Sequence, residues 1–296
     1  MEANGDSPKG LALALAVYLL WGFLPLYMVH LSHVPPAEVI LHRVLWSVPI
    51  AAVAVLSMGK GGALGRALRR PRMLGMAAVT AAIVSLNWGI YVWAVTSGHA
   101  LEAALGYYIN PLFSVFLGAV LLRERLAPAQ WAAIGLAALA VGVLTWDAGR
   151  LPMAALGLTL TWGAYAFFKK WLPMGPSEGF LLEVLILSPF ALLYLGWLMA
   201  RGQSHFLAGD VATDALLLGC GVVTAVPLLL YAHGAKLLRL STIGILQYIS
   251  PTLVALVAVA VLGEHFGPAR MVAFPMIWAA LAIYTASFLR QARAAA

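Results

Sequence analysis

The stretch LEAALGYYINPL, Leu101–Leu112, places a proline inside an apolar run, and the chain does so again in STIGILQYISPTL, Ser241–Leu253. Both copies read Tyr-Ile, one small polar residue, then Pro: Tyr108-Ile109-Asn110-Pro111 and Tyr248-Ile249-Ser250-Pro251. The shift between them is 140 residues, and it extends beyond the motif. Tyr91 meets Tyr231, Glu124 meets Glu264, and Pro128-Ala129 meets Pro268-Ala269. A shift of 141 brings Trp21-Gly22 onto Trp162-Gly163, and Pro35 onto Pro176. The chain therefore reads as two halves, 1–148 and 149–296.

Composition sets the solvent. Hydrophobic residues make up 63% of the 296 and charged residues only 10%, with a mean hydropathy of +0.93. A soluble chain carries about 25% charged residues, so this one must use lipid as its surroundings. The net charge of +7 then records membrane orientation rather than a nucleic-acid partner. The single cysteine, Cys220, allows no disulfide within the chain and points to no metal site. Gly10–Val29 is long enough to span a bilayer and is read as a retained first span, not a cleaved signal.

Ten apolar runs follow one another: roughly 10–30, 37–58, 73–97, 100–122, 128–146, 152–171, 177–200, 213–236, 241–262 and 269–289. Open strands would leave backbone groups unpaired in lipid, so these runs are helices. The fold class is all-α, a membrane protein of ten transmembrane helices. Of 18 Lys and Arg, fourteen fall in one set of alternating loops: Lys9; Lys60, Arg66, Arg69, Arg70 and Arg72; Arg123 and Arg125; Lys169 and Lys170; Lys236 and Arg239; Arg290 and Arg293. Arg150, Arg201 and Arg270 occupy the other set, and Arg43 lies inside a span. This bias puts both termini in the cytoplasm.

Five spans per half is an odd number, so the second half enters the membrane upside down relative to the first. Inverted repeats of this kind are a transporter design, with the substrate site near the midplane where helices are discontinuous. Pro111 and Pro251 each remove a backbone hydrogen bond and bend their helices. Under the pseudo-two-fold they meet at one depth and free carbonyls there. They also suit plain helix packing.

The blocks LLWGFLPLY (Leu19–Tyr27), HRVLWS (His42–Ser47), LNWGIYVWAV (Leu86–Val95), LEAALGYYINPL and LQYISPT (Leu246–Thr252) resemble the drug/metabolite transporter superfamily, built from two EamA-type five-helix halves. The likeness is closer still to the RarD and YddG exporters and runs over nearly the whole chain. The resemblance implies a ten-helix exporter of the bacterial inner membrane with a central cavity. It implies amino-acid export, aromatic and other neutral ones, for YddG-like members. RarD-like members are associated by name with chloramphenicol.

The candidate substrate-binding residues are Trp21, Asn87, Tyr91, Tyr108, Asn110, Trp162, Tyr231, Gln247 and Tyr248. Their aromatic faces suit an apolar or aromatic body by stacking and an ammonium by cation–π contact, with the amides and bend carbonyls left for a polar end. Ordinary helix packing also accounts for them. Trp46, Trp131, Trp146, Trp171, Trp197 and Trp278 are read as interfacial belts or lipid-facing. Ionisable groups inside spans are expensive and mark function. Arg43 sits two turns into its span with Glu102 on the same side, and Glu183 is placed as the counterpart of His42. Arg43–Glu102 reads as a gating or structural ion pair; the other readings are Arg43 as receptor for a substrate carboxylate, Glu183 as a proton carrier, or snorkelling to the interface. No Asp is read inside a span, which favours facilitated export over proton coupling. Gly135, Ala138 and Gly142 allow close helix approach, within a monomer or across a dimer.

An enzyme would need a nucleophile–base set or metal ligands. His30, His33 and His42 are too loosely spaced, no HExxH motif occurs, and no cofactor is implied. A channel would require repeated charges or carbonyl rings. Nucleotide sugars would require several cavity cations for their phosphates, and only Arg43 is available. The expected partners are a small-molecule substrate and membrane lipid. The expected function is amino-acid export, with export of uncharged drugs or metabolites as the alternative.

Overall fold

The computed structural model describes residues 7–121, 126–234, 237–238, 242–243 and 246–294. Arg123, Glu124, Arg125, Lys236, Arg239 and Ser241 lie outside the described residues, as do the side chains of Lys170, Trp171 and Arg293.

Proline and the bilayer account for most helix boundaries. The helices are α1 (Pro8–Val29), α2 (Pro36–Ser57), α3 (Gly61–Leu68), α4 (Pro71–Thr96), α5 (Ala100–Leu121), α6 (Pro128–Ala148), α7 (Met153–Trp171), α8 (Pro176–Ala200), α9 (Val211–Gly234), α10 (Ile249–Ala260) and α11 (Pro268–Ala294). Six of these start on proline, whose fixed φ and missing N–H suit the first helical position. Ser7 caps α1 by accepting from the Gly10 amide at 3.0 Å. Gly149, with φ of 62°, ends α6 in the left-handed conformation that a Cβ disfavours. Asp210 accepts from Ala212 N and Thr213 Oγ1 ahead of α9, and these bonds hold its carboxyl below the ordinary range.

Among the described residues, eight helices are long and apolar enough to cross a membrane: α1, α2, α4, α5, α6, α8, α9 and α11. The chain is a multi-pass membrane protein. The runs expected at 152–171 and 241–262 stand apart from these eight. The first forms α7, which carries Lys169 and Lys170 at its end. The second yields only the 12-residue α10, and part of it lies outside the described residues. The loop after α2 holds the short helix α3, which its Gly-rich sequence does not announce.

The two halves interleave. The principal packing pairs are α11 with α6, α2 with α9 and α8, α5 with α7 and α10, α1 with α10 and α9, and α4 with α7 and α8. Exchanging α1 with α7, α2 with α8, α4 with α9, α5 with α10 and α6 with α11 returns the same set. The α2–α9 contact is close enough that a Cβ on Gly221 would lie 2.3 Å from the Trp46 carbonyl. Glycine is therefore required there.

The helix starts correct the register of α2 against α8. Pro36, not Pro35, stands at the start opposite Pro176, so one offset of 140 aligns PAEVILHRV with PSEGFLLEV. Glu183 is then the counterpart of Arg43 and not of His42. The same offset relates Glu38 to Glu178 and the internal prolines Pro49 and Pro189.

Candidate functional site

Arg43 is the centre of the candidate site. It lies in the α2 face that meets α9, with 5% of its surface exposed. Its Nε donates to Thr224 Oγ1 at 3.0 Å, and its guanidinium carbon sits 4.9 Å from the Trp88 ring centroid. Ser47 Oγ donates to the Arg43 carbonyl at 2.6 Å, one turn on. Arg43 Nη1 and the buried Tyr91 hydroxyl have no hydrogen-bond partner. No carboxylate among the described residues forms an ion pair with Arg43.

The expected Arg43–Glu102 pair is not formed. Glu102 Oε1 accepts from Arg150 Nη2 at 3.0 Å, and Oε2 accepts from Ala154 N at 3.3 Å. Glu102 thus sits at the positive end of α7, where a carboxylate is stabilised by free amides. Glu264 does the same for α5, accepting from Ala100 and Leu101 N. Glu183 is engaged as well, by Lys169 Nζ at 2.5 Å and Tyr165 OH at 3.1 Å. Asp214 corrects the reading that no span contains aspartate. It falls in the first turn of α9 and accepts from Leu207 N at 2.6 Å.

The aromatic candidates fall into separate groups. Trp21 lies 5.9 Å from Tyr18 and 5.8 Å from Tyr231, ring to ring. Tyr108 on α5 and Tyr248 in the turn before α10 stack at 6.5 Å, and Tyr108 hydrogen-bonds Thr252 at 2.6 Å. Tyr91 faces Tyr107 at 5.9 Å. Trp162 lies beside Tyr165, 5.6 Å away, next to the Lys169–Glu183 pair. Asn87 joins α4 to α7, donating to Leu158 O and Thr161 Oγ1 at 3.2 and 2.8 Å. Asn110 is buried with Oδ1 unpaired, and Gln247 lies in the turn before α10. Trp46 donates its Nε1 to His42 one turn back on α2 at 2.9 Å, and its ring meets Phe206 at 5.9 Å. Trp131, Trp146, Trp197 and Trp278 are exposed.

The two prolines differ in effect. Pro111 lies inside the continuous α5, where the ring removes the bond to the Tyr107 carbonyl. Pro251 stands in the first turn of α10, after a turn at Gln247–Tyr248, so that helix is interrupted and not merely bent. Two cavities, of about 330 and 620 Å³, open elsewhere than the expected central hollow. One lies among Glu102, Asp147, Arg150, His265, Arg270 and Phe274, the other among His30, Ser32, Thr96, Gly98 and Leu262. In this conformation Arg43, Tyr91 and Tyr108 are closed over by their neighbours.

Two acids that sequence reasoning missed link the halves reciprocally. Glu38, in the first turn of α2, accepts from Ser204 Oγ and His205 N and meets His205 Nδ1 at 2.7 Å, all in the loop after α8. Glu178, in the first turn of α8, accepts at 3.1 Å from Lys60 in the loop after α2. Their shared offset of 140 was the available signal.

The repeat has a family counterpart. The model of the EamA-like transporter family matches the chain twice, over residues 8–146 and 151–286. The chain belongs to the EamA-like transporter family. It is 40% identical over 293 residues to Protein RarD of Streptomyces exfoliatus, covering 99% of this chain and 93% of that one. It is 34% identical over 281 residues to the Chloramphenicol-sensitive protein RarD of Pseudomonas aeruginosa, covering 93% of each. A crystal structure at 21% identity superposes with a TM-score of 0.62 over 94% of this chain and 98% of the other, which shows a shared fold alone.

Proposed function

We propose that this EamA-like chain is an alternating-access exporter of amino acids, aromatic ones and other neutral ones such as methionine and threonine. It works in a bacterial inner membrane with both termini in the cytoplasm. Its ten crossings form two oppositely directed halves, 1–148 and 149–296, with α7 and the segment containing α10 completing the count. At 1.5 Å per residue α7 is about 28 Å long, near the thickness of a hydrocarbon core. The carrying observation is the packing pattern unchanged by exchange of the halves, with aromatic pairs such as Tyr108–Tyr248 where they meet. Halves that can exchange conformations give two states of similar energy, and a ligand shifts the balance between them. A buried cation beside aromatic rings suits a zwitterion with an apolar side chain.

The second reading, export of uncharged drugs, is favoured by the name of the Pseudomonas relative. Flux assays separate the two. Liposomes containing the purified protein should release labelled phenylalanine, methionine or threonine faster than empty ones. Release of chloramphenicol with no amino-acid flux selects the second reading.

A further inference from the structure

We infer that Arg43, with the Tyr91 hydroxyl, is the receptor for a carboxylate on the transported molecule, which makes the cargo an apolar or aromatic monocarboxylate and excludes uncharged compounds. This rests on the transport reading above.

A guanidinium cannot shed its charge in a protein. A buried charge without a counter-ion is strongly unfavourable, and inside a membrane such groups are retained for function. The acids on α2, α5, α8 and α9 are engaged elsewhere: Glu38 with His205, Glu102 with Arg150, Glu183 with Lys169, Glu178 with Lys60, and Asp214 with Leu207 N. Thr224 and the Trp88 ring hold the guanidinium by Nε and by its face, which fixes the plane while leaving Nη1 free. Tyr91 stands one turn beyond Trp88 on α4, and its buried hydroxyl is also unpaired. Two buried donors without acceptors, close to one positive charge, match one carboxylate. A phosphate would require further cations. The Trp88 ring under the charge, and the Tyr91–Tyr107 pair beyond it on α4 and α5, suit an apolar body.

The test uses the purified full-length chain. Thermal stabilisation is measured with 3-phenylpropionate, phenylalanine, phenylalaninamide and sodium chloride, alongside flux in liposomes. The two carboxylates should raise the unfolding midpoint and compete for labelled phenylalanine; the amide and chloride should do neither. Arg43→Gln should weaken carboxylate binding by at least about tenfold, as expected for a lost charged hydrogen bond. Tyr91→Phe, which keeps the ring, should weaken it by about threefold to tenfold, and it carries the test if Arg43→Gln does not fold. The inference falls if the amide binds as well as the acids, if chloride alone reproduces the shift, or if both variants bind carboxylates normally. Carboxylate-dependent stabilisation without flux of any amino acid would instead reject the export reading and leave the Arg43 site standing.

Discussion

Arg43 on α2 and Glu183 on α8 stand at equivalent positions of a repeated scaffold, 140 residues apart, and their surroundings are opposite. Glu183 is 1% exposed and has both a cation and a phenol within hydrogen-bond reach. Arg43 is equally deep and has a hydroxyl, an indole face and an unused Nη1. The backbone symmetry supplies two like positions; the side chains make one a completed ion pair and leave the other short of an anion. A charge whose partner is built in serves the fold. One whose partner is missing awaits a ligand.

The largest expected effect breaks the completed copy. Lys169→Met leaves Glu183 buried and unpaired, and stability should fall by about 3–5 kcal/mol, read as a lowered unfolding midpoint in detergent. Adding Glu183→Gln to that variant should recover most of the loss. At the equivalent position the sign reverses. Arg43→Gln removes an unsatisfied buried charge, and the ligand-free protein should gain about 1–3 kcal/mol while losing substrate stabilisation. A lowered midpoint for Arg43→Gln without ligand would erase the contrast between the copies.

The remaining predictions sharpen the same comparison at the helix contacts. Gly221→Ala forces a Cβ against the Trp46 carbonyl and should cost about 1–3 kcal/mol. Its counterpart, position 81, already carries alanine, so the α2–α9 contact is tighter than the equivalent α4–α8 one. Smallest is Lys60→Ala. Its side chain is 32% exposed, solvent screens the pair, and the loss should stay under about 1 kcal/mol, measurable by a double-mutant cycle with Glu178→Gln.

Much of this was legible in the sequence. Hydropathy fixed where helices run, because lipid leaves the backbone no other solution, and spaced pairs such as Tyr108 and Tyr248 exposed the duplication. Partner choice was not legible. Arg43 and Glu102 looked matched because both sit near one membrane face, but Arg150 and the start of α7 reach Glu102 instead. Only the lateral arrangement of helices decides that, and apolar runs carry no record of their neighbours. The same limit hid the interleaving of the halves and the contact between Asn87 and α7. The break before Pro251 was hidden for a different reason, since a proline in a run reads alike whether its helix bends or stops.

The reciprocal links of Glu38 to His205 and of Glu178 to Lys60 tie the opposite ends of the same two rods, α2 and α8. Rods crossing between two such ties behave as a seesaw. Tilting one against the other strains the tie at the parting end and relieves the tie at the closing end. In the proposed alternating-access cycle each rim is thus secured by the half that would otherwise swing away from it, and free passage from one side to the other would require both ties to fail together.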